Sequence, residues 1–308
     1  MPEGDTIFRL AARLRGAVVG RVVTKAESRA TGTFAPIVGD TVVSIETHGK
    51  NLFFVFKSGL AIHSHLGMHG SWRLFLHAEH PRLPSTFRAL LVLGDRSLVC
   101  FRAPVARLLS RSEVARMKAE TEVGLDPLRE PFDEVQTASI VAKFSTRAAP
   151  VGVVLLDQRV IAGVGNVLKS ETLFVARQDP FVSCASCTEE NLRHLVDTAV
   201  RILRESVAKK GTAPIDDDAA PFRSNRRITR PYDSILGTRG GALHWVYLRA
   251  GEPCFSCGTE IAMRYQGEAA RSTYYCPECQ SVALSRAPSI ERAATQARPS
   301  TRRRTNRH

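Results

Sequence analysis

The first residues of the chain have the most informative chemistry. The sequence opens Met1-Pro2-Glu3-Gly4, and an initiator methionine is normally removed when the next residue is as small as proline. Pro2 would then present an α-amine, whose pKa of about 7.7–8.0 leaves a useful fraction neutral. A neutral amine can attack an electrophilic sugar carbon and form a Schiff base. Glu3 could donate and accept the protons that this reaction transfers. Taken alone, Pro2 is a common second residue and Glu3 an ordinary helix-start acid.

Four cysteines near the end of the chain have the spacing of a metal site. Cys254 and Cys257 form one Cys-x-x-Cys pair, Cys276 and Cys279 form another, and 18 residues separate the pairs. This pattern is typical of a structural zinc site on a β-hairpin, here turning near Gly267. Disulfides or chance pairs are the alternative, which a cytosolic chain disfavours. Four thiolates leave no open position on Zn²⁺, so we expect one structural zinc ion.

The other cysteines and two histidines give weaker signals. Cys184 and Cys187 form a third pair, but no further pair is free to complete a site, which favours a structural or incidental role over a redox one. Cys100 lies in an apolar strand and is expected in the core. His63 and His65 share a strand face without further ligands, so we interpret them as core or surface histidines.

Four segments occur together in a specific order. They are Met-Pro-Glu-Gly at the start, His-Gly-Lys-Asn-Leu at 48–52, Gly-Val-Gly-Asn-Val at 163–167, and the four-cysteine ribbon. Over about residues 1–283, this combination resembles the formamidopyrimidine-DNA glycosylase and endonuclease VIII family. Met-Pro-Glu-Gly in place of Met-Pro-Glu-Leu makes the chain more similar to the endonuclease VIII branch.

The resemblance implies a bifunctional enzyme of base excision repair that acts on damaged DNA, with oxidised pyrimidines favoured. Pro2 would attack C1′ of the damaged nucleotide and expel the base. Glu3 would act as general acid and base at the deoxyribose. The Schiff base would then collapse by β- and δ-elimination, which makes the protein both a DNA glycosylase and an AP (apurinic/apyrimidinic) lyase.

The resemblance also implies residues that bind DNA. Lys50 matches a phosphate-binding lysine at the catalytic site, Asn166 the turn of a helix–two-turn–helix motif, and Arg271 a phosphate-clamping arginine on the zinc hairpin. Such contacts fix position without reading sequence. Met68 matches the residue that fills the space left by an extruded base. Without the resemblance, these would be surface, turn or core residues.

Residues 102–108 depart from the family pattern. The formamidopyrimidine branch has an Arg-Arg-Phe wedge here, whereas this segment has no aromatic residue. The missing wedge leaves open an enzyme that is mainly an AP lyase on single-stranded or bubble DNA. A second alternative, which does not depend on the wedge, is a zinc-ribbon DNA-binding protein without enzymatic activity. Residues 211–242, expected as a long polar loop, do not indicate which damaged base is preferred.

An α+β, multidomain fold must position these residues. The predicted units are an N-terminal catalytic β-sandwich domain with an N-terminal helix (1–123), a linker (124–133), a helix–two-turn–helix DNA-binding domain (134–242), a zinc-ribbon β-hairpin (243–283) and a disordered basic tail (284–308).

Periodicity places the elements within these units. The first helix is predicted at 1–16, with Gly16 as its stop. Short β-runs are predicted at 41–45, 52–56, 60–63, 89–93 and 97–101. Helical runs are predicted at 140–144, 151–156, 167–174 and 189–210, the last with Thr188 as N-cap.

Charge and hydropathy restrict the partners. The net charge is +13, and residues 284–308 alone hold seven arginines against one glutamate. A basic chain favours a polyanion, but charge does not separate DNA, RNA and acidic membranes. The sequence has no run of about 18 apolar residues and no signal peptide pattern, so we expect a cytoplasmic protein without a membrane partner, and a monomer.

Overall fold

The computed structural model describes residues 2–30, 32–76, 83, 85–118, 123–129, 131–210 and 244–281. The loop expected at 211–242 and the tail expected at 284–308 lie outside these residues. None of the helices in the described ranges combines the length and apolar character that crossing a membrane requires.

The N-terminal half is an antiparallel β-structure that opens with helix α1 (Gly4–Val18). Its strands are β1 (Lys25–Ser28), β2 (Val42–His48), β3 (Asn51–Phe56), β4 (Ala61–His65), β5 (Ser71–Leu76), β6 (Phe87–Leu93), β7 (Arg96–Phe101) and β8 (Val105–Leu109). They form two four-stranded sheets, in the orders β1-β6-β7-β5 and β2-β3-β4-β8. All five predicted β-runs are present.

One apolar core joins the two sheets and α1. Ile7 and Leu14 of α1, Phe54 of β3 and Leu91 of β6 are buried in the same cluster. Removing this apolar surface from water is the main force that holds the layers together. The predicted β-sandwich with an N-terminal helix is therefore confirmed.

The sequence predicted that the first helix stops at Gly16, but the helix continues past this residue. It continues to Val18 because Ala17 and Val18 are buried, so that ending the helix earlier would expose them. The chain turns at Gly20 instead, where φ is +84° and only glycine fits without strain.

Residues 102–108 are mostly a strand. Val105–Leu109 forms β8 and pairs with β4 along its whole length. Only residues 102–104 remain as a turn between β7 and β8. A short helix that the sequence did not predict, α2 (Arg111–Lys118), follows β8.

The second half is helical. Its helices are α3 (Glu134–Ser145), α4 (Val151–Val154), α5 (Asn166–Val175) and α6 (Glu189–Lys210). All four predicted helical runs are present, and Thr188 accepts a hydrogen bond from the backbone N–H of Asn191 (3.2 Å), as an N-cap does.

The cysteine hairpin packs on these helices. It consists of β9 (Ala262–Gln266) and β10 (Arg271–Tyr275), with the turn at Gly267. Cys254 and Cys276 share one core with Leu168 of α5 and Leu195 of α6. Helices and hairpin are therefore a single packed unit.

The segment that connects the two halves is itself packed. Leu125 forms a parallel bridge with Ile161 of the helical half. The buried carboxylate of Asp126 accepts a hydrogen bond from the backbone N–H of Gly49 (2.6 Å) in the β-sandwich. This linker fixes the two halves relative to each other.

Candidate active site

Three glycine-containing segments that are distant in sequence meet between the two halves. The backbone N–H of Gly4 donates to the carbonyl of Gly163 (2.9 Å). A Cβ on Gly4 would lie 2.7 Å from the α-carbon of Gly163, and a Cβ on Gly49 would lie 3.0 Å from Ala162 Cβ. Glycine at these positions allows the backbones to touch. The sequence motifs at 1–4, 48–52 and 163–167 are therefore parts of one site.

Glu3 lies at the centre of this site. It is the N-cap of α1 and is 3% exposed. Its carboxylate accepts hydrogen bonds from the backbone N–H groups of Val167 (2.8 Å) and Leu168 (3.0 Å) at the start of α5. The positive end of a helix dipole favours a carboxylate there.

The pKa of Glu3 suits proton transfer. Burial raises it from 4.5 to about 7, although the charge of Lys50 and the two backbone N–H groups act in the opposite direction. A carboxyl group that titrates near neutrality both donates and accepts protons at working pH. Pro2 is half-buried and precedes Glu3 directly.

Lys50 extends from the turn between β2 and β3 towards the helical half. Its Nζ donates to the carbonyl of Val164 (2.7 Å), which also accepts a hydrogen bond from Gln158 Nε2 (2.9 Å). Burial and the charge of Arg271 lower the pKa of Lys50, and Glu3 opposes this shift. Glu3 and Arg271 therefore both act electrostatically on Lys50.

Asn166 and Arg271 join the site from α5 and β10. Asn166 is 7% exposed, and its Nδ2 donates to Ser272 Oγ (3.0 Å), directly after Arg271. Arg271 is exposed at the start of β10. The structure thus brings together Pro2, Glu3, Lys50, Asn166 and Arg271, which the sequence analysis had named separately.

Met68 lies apart from this group. It is 60% exposed in the turn between β4 and β5, so it is not a core residue. The neighbouring Gly67 has a φ of +59°, and a Cβ there would lie 2.9 Å from Pro104. The Met68 turn therefore packs closely against the turn at 102–104.

The four cysteines form one cluster. Their sulfur atoms lie within 4.8 Å of one another; Cys254 Sγ and Cys279 Sγ are 3.9 Å apart, and Cys257 Sγ and Cys276 Sγ are 3.5 Å apart. These distances are close to the separation of about 3.8 Å between sulfur atoms around a tetrahedral ion with bonds of about 2.3 Å. The cluster can hold a metal ion.

The remaining cysteines and histidines are not part of a metal cluster within the described ranges. Cys184 is buried in the helical core, and burial raises the pKa values of both Cys184 and Cys187, which disfavours reactive thiolates. Cys100 is buried in the β-sandwich core. His63 is buried, with its ring Nε2 2.9 Å from Asn51 Oδ1.

Sequence reasoning missed three buried charged residues. Asp126 holds the turn that carries Lys50. Glu171 accepts hydrogen bonds from three consecutive backbone N–H groups, those of residues 245–247. Lys169 is fully buried beneath β10. The one signal for the last two was a pair of charges in α5 next to the apolar residues Leu168, Leu173 and Phe174.

Comparisons with known proteins agree with this architecture. Residues 1–105 match the formamidopyrimidine-DNA glycosylase N-terminal domain, and residues 123–216 match the formamidopyrimidine-DNA glycosylase H2TH domain. A probable endonuclease 8 2 of Streptomyces coelicolor is 33% identical over 91% of this chain and 94% of its own length. The DNA-(apurinic or apyrimidinic site) lyase Nei2 of Mycolicibacterium smegmatis is 35% identical over 91% of this chain and 99% of its own.

A solved structure supports the same assignment. The MutM (Fpg) protein of Thermus thermophilus superposes with a TM-score of 0.70 at 29% identity, over 92% of this chain and all of its own. The fold and the site thus define an enzyme of base excision repair, a DNA glycosylase and AP lyase. The chain belongs to the formamidopyrimidine-DNA glycosylase and endonuclease 8 family.

Proposed function

We propose that the protein removes oxidised bases from DNA, with pyrimidines favoured, and cuts the strand with the amine of Pro2 as nucleophile. The observation that supports this most is the environment of Glu3, directly beside Pro2. Its buried carboxylate is held by two backbone N–H groups and has a pKa of about 7. Cleavage of a glycosidic bond through an imine requires such an amine and such an acid side by side.

The first step releases the base. The nitrogen of Pro2 forms a bond to C1′ as the bond from C1′ to the base breaks. The base leaves with that electron pair and takes up the proton that the Pro2 nitrogen then loses. Protonated Glu3 then donates its proton to O4′. The sugar ring opens between C1′ and O4′, and the bond between Pro2 and C1′ becomes an iminium.

The second step cuts the strand. The iminium acidifies C2′, which loses a proton while the 3′-phosphate leaves in β-elimination. Loss of a further proton and departure of the 5′-phosphate complete δ-elimination. Water hydrolyses the remaining iminium to an aldehyde and restores the amine of Pro2, so no oxidant or reductant is needed. The product is a gap with a phosphate at each end.

Other residues of the site bind DNA in this proposal. The phosphate beside the lesion is held by Lys50, Asn166 and Arg271. Two cations and an amide N–H donor are groups that bind phosphate oxygens without reading the base sequence. The exposed Met68 enters the base stack where the damaged nucleotide leaves it.

A single Zn²⁺ ion bound by Cys254, Cys257, Cys276 and Cys279 has a structural role in this proposal. The four thiolates complete its coordination, so the ion fixes the hairpin that carries Arg271 and takes no part in the reaction. We further propose that the protein acts as a cytoplasmic monomer on damaged DNA.

The test uses duplexes with a single 5-hydroxyuracil, 8-oxoguanine or abasic site. Under single-turnover conditions, we expect faster release of 5-hydroxyuracil than of 8-oxoguanine, and a 3′-phosphate end that marks β,δ-elimination. Glu3→Gln should lower base release by at least about 100-fold. An unsaturated aldehyde at the 3′ end would limit the reaction to β-elimination, and faster release of 8-oxoguanine would reverse the proposed preference.

One observation favours a second candidate, an enzyme that is mainly an AP lyase on single-stranded or bubble DNA. Because Val105–Leu109 is committed to β8, only the turn at 102–104 remains beside Met68, and it has no aromatic residue to support the orphaned base. Comparable cleavage of abasic sites in single and double strands, with little release of oxidised bases, would favour this candidate.

A further inference from the structure

Lys169 lies on the first turns of α5 and is fully buried. Its Nζ donates hydrogen bonds to the carbonyl of Ser272 (2.9 Å) and to the hydroxyl of Thr273 (2.7 Å). No carboxylate forms an ion pair with Lys169 among the residues that the structure describes. Removing a lysine from water without a paired anion is costly, so its presence calls for a physical reason.

The contacts of Lys169 fix the strand that carries Arg271. Ser272 and Thr273 directly follow Arg271 in β10, and Asn166 holds the side chain of Ser272 as well. The hydroxyl of Thr273 donates its proton to Gln266 Oε1 (2.6 Å). The lone pairs of the Thr273 oxygen are therefore available to accept the hydrogen bond from Lys169. The start of β10 is therefore tied to α5 by a connected set of buried hydrogen bonds.

Lys169 also contributes charge to the site. Burial, and next the positive charge of Arg271, lower the pKa of Lys169 to about 7, and Glu3 acts in the opposite direction. Lys50 is subject to the same two neighbours, Arg271 and Glu3. Arg271 therefore opposes the charged forms of both lysines, and an anion beside these three side chains would relieve that repulsion and favour the charged forms.

We propose that Lys169 is a positioning residue for DNA phosphate: it fixes the start of β10 so that Arg271 faces the phosphate held by Lys50 and Asn166, and it adds a buried positive charge behind that phosphate. This inference rests on the proposed function, which supplies the DNA. Lys169 itself touches neither the sugar nor the base.

The test measures binding separately from chemistry. The ligand is a duplex with a tetrahydrofuran abasic analogue, which the enzyme cannot cleave, titrated at several salt concentrations. We expect Lys169→Met to raise Kd about tenfold and to reduce the slope of log Kd against log salt by about 0.9, one phosphate contact. Cleavage at saturating natural abasic DNA should change less than about threefold, because the reacting groups are untouched.

Three further variants separate position from charge. Lys169→Arg keeps the charge and should restore the salt slope. Thr273→Val removes one acceptor of Lys169 but no charge, so it should raise Kd and leave the slope unchanged. Lys57→Met is the control, because Lys57 is exposed just beyond the end of β3 opposite to Lys50; it should leave Kd nearly unchanged.

The outcome separates this inference from the proposed function. A folded, zinc-loaded Lys169→Met protein with wild-type Kd and salt slope would overturn the inference, as would a loss of cleavage at saturation without a change in Kd. If Lys169→Met does not fold, Lys169→Gln and Thr273→Val replace it under the same criteria. Failure of the wild type to form a borohydride-trapped complex with abasic DNA would instead overturn the proposed function, and binding to the analogue would still be measurable.

Discussion

The α-carbon of Gly165 lies directly against the carboxyl group of Glu3. A Cβ on Gly165 would lie 2.3 Å from both Cδ and Oε1 of Glu3, closer than any real contact. The backbone does not require glycine here, since its φ of −115° and ψ of −167° suit any residue. Glycine at 165 therefore provides space for the carboxylate at the start of α5.

Gly165→Ala should disable the enzyme without unfolding it. The new methyl group would displace Glu3 from the N–H groups of Val167 and Leu168. A misplacement of about 1 Å costs a catalytic group about 100-fold in rate, so we expect base release and strand cleavage to fall by about that factor in single-turnover assays. Gly16→Ala is the control, because Gly16 is exposed near the end of α1 opposite to Glu3 and alanine suits a helix. Equal rates for wild type and Gly165→Ala would contradict the role given to Glu3.

The pH profile of the reaction should report Glu3. Because its pKa is about 7, the protonated acid is present below that pH and is lost as pH rises through it. The amine of Pro2 must be neutral, and it loses its proton as pH rises through a pKa of about 7.7–8.0. The rate at saturating DNA should therefore be bell-shaped. Because Glu3 has the lower pKa of the two, its titration sets the acid limb near pH 7 and that of Pro2 sets the alkaline limb.

Lys50→Met should shift the acid limb to higher pH. The positive charge of Lys50 lowers the pKa of Glu3, so its removal lets the pKa rise and keeps the acid protonated to higher pH. Lys57→Met, at the other end of β3, should leave the limb unchanged. A shift to lower pH in Lys50→Met would show that the limb is not set by Glu3.

Asp126→Ala should weaken DNA binding although Asp126 need not touch DNA. Its carboxylate accepts hydrogen bonds from the backbone N–H groups of Gly49 (2.6 Å) and Leu128 (2.9 Å). Leaving buried donors unpaired costs about 1–3 kcal/mol and frees the turn that holds Lys50. We expect a lower melting temperature and a Kd for abasic duplex about tenfold higher.

Asp133→Ala provides the matched control for Asp126→Ala. Asp133 caps α3 on the surface, and its loss should cost about 0.5–2 kcal/mol of stability. It should leave Kd unchanged, because α3 contributes no residue to the site. If both variants weaken binding equally, the effect of Asp126→Ala is only a loss of stability.

Loss of the metal should remove DNA binding through the hairpin. Cys276→Ser takes one of the four thiolates, a buried one, from the cluster, so we expect loss of zinc measured by elemental analysis, together with loss of Arg271 as a binding group. Cys187→Ser, outside the cluster, should keep one zinc ion per chain. Wild-type binding by zinc-free Cys276→Ser would contradict the structural role of the metal.

The sequence indicated most of the sandwich because its central strands are apolar and short. Two of the strands that it did not name, β1 and β8, have no clear apolar alternation of their own. The segment of β1, Lys25-Ala-Glu-Ser, is polar and becomes a strand by pairing with β6. Likewise β8 forms because its backbone completes the edge of β4. Pairing between distant segments decides such strands.

The site was predictable to a similar extent. Pro2, Glu3, Lys50, Asn166, Arg271 and the four cysteines lie in short motifs, so sequence reasoning could name them. Lys169 and Asp126 could not be named in this way, because their roles depend on contacts with Thr273 and Gly49, which are far away in the chain. A buried charge is visible only when the fold shows what surrounds it.

The most direct test of the mechanism is borohydride trapping on DNA with one abasic site. Borohydride reduces the iminium between Pro2 and C1′ to a permanent bond, visible as a protein–DNA band of reduced mobility. We predict a band for the wild type and for Lys57→Met, and none for Pro2→Gly. A folded, zinc-loaded wild type that gives no band would contradict the Schiff-base mechanism, and a band of wild-type intensity in Pro2→Gly would show that the secondary amine of proline is not required.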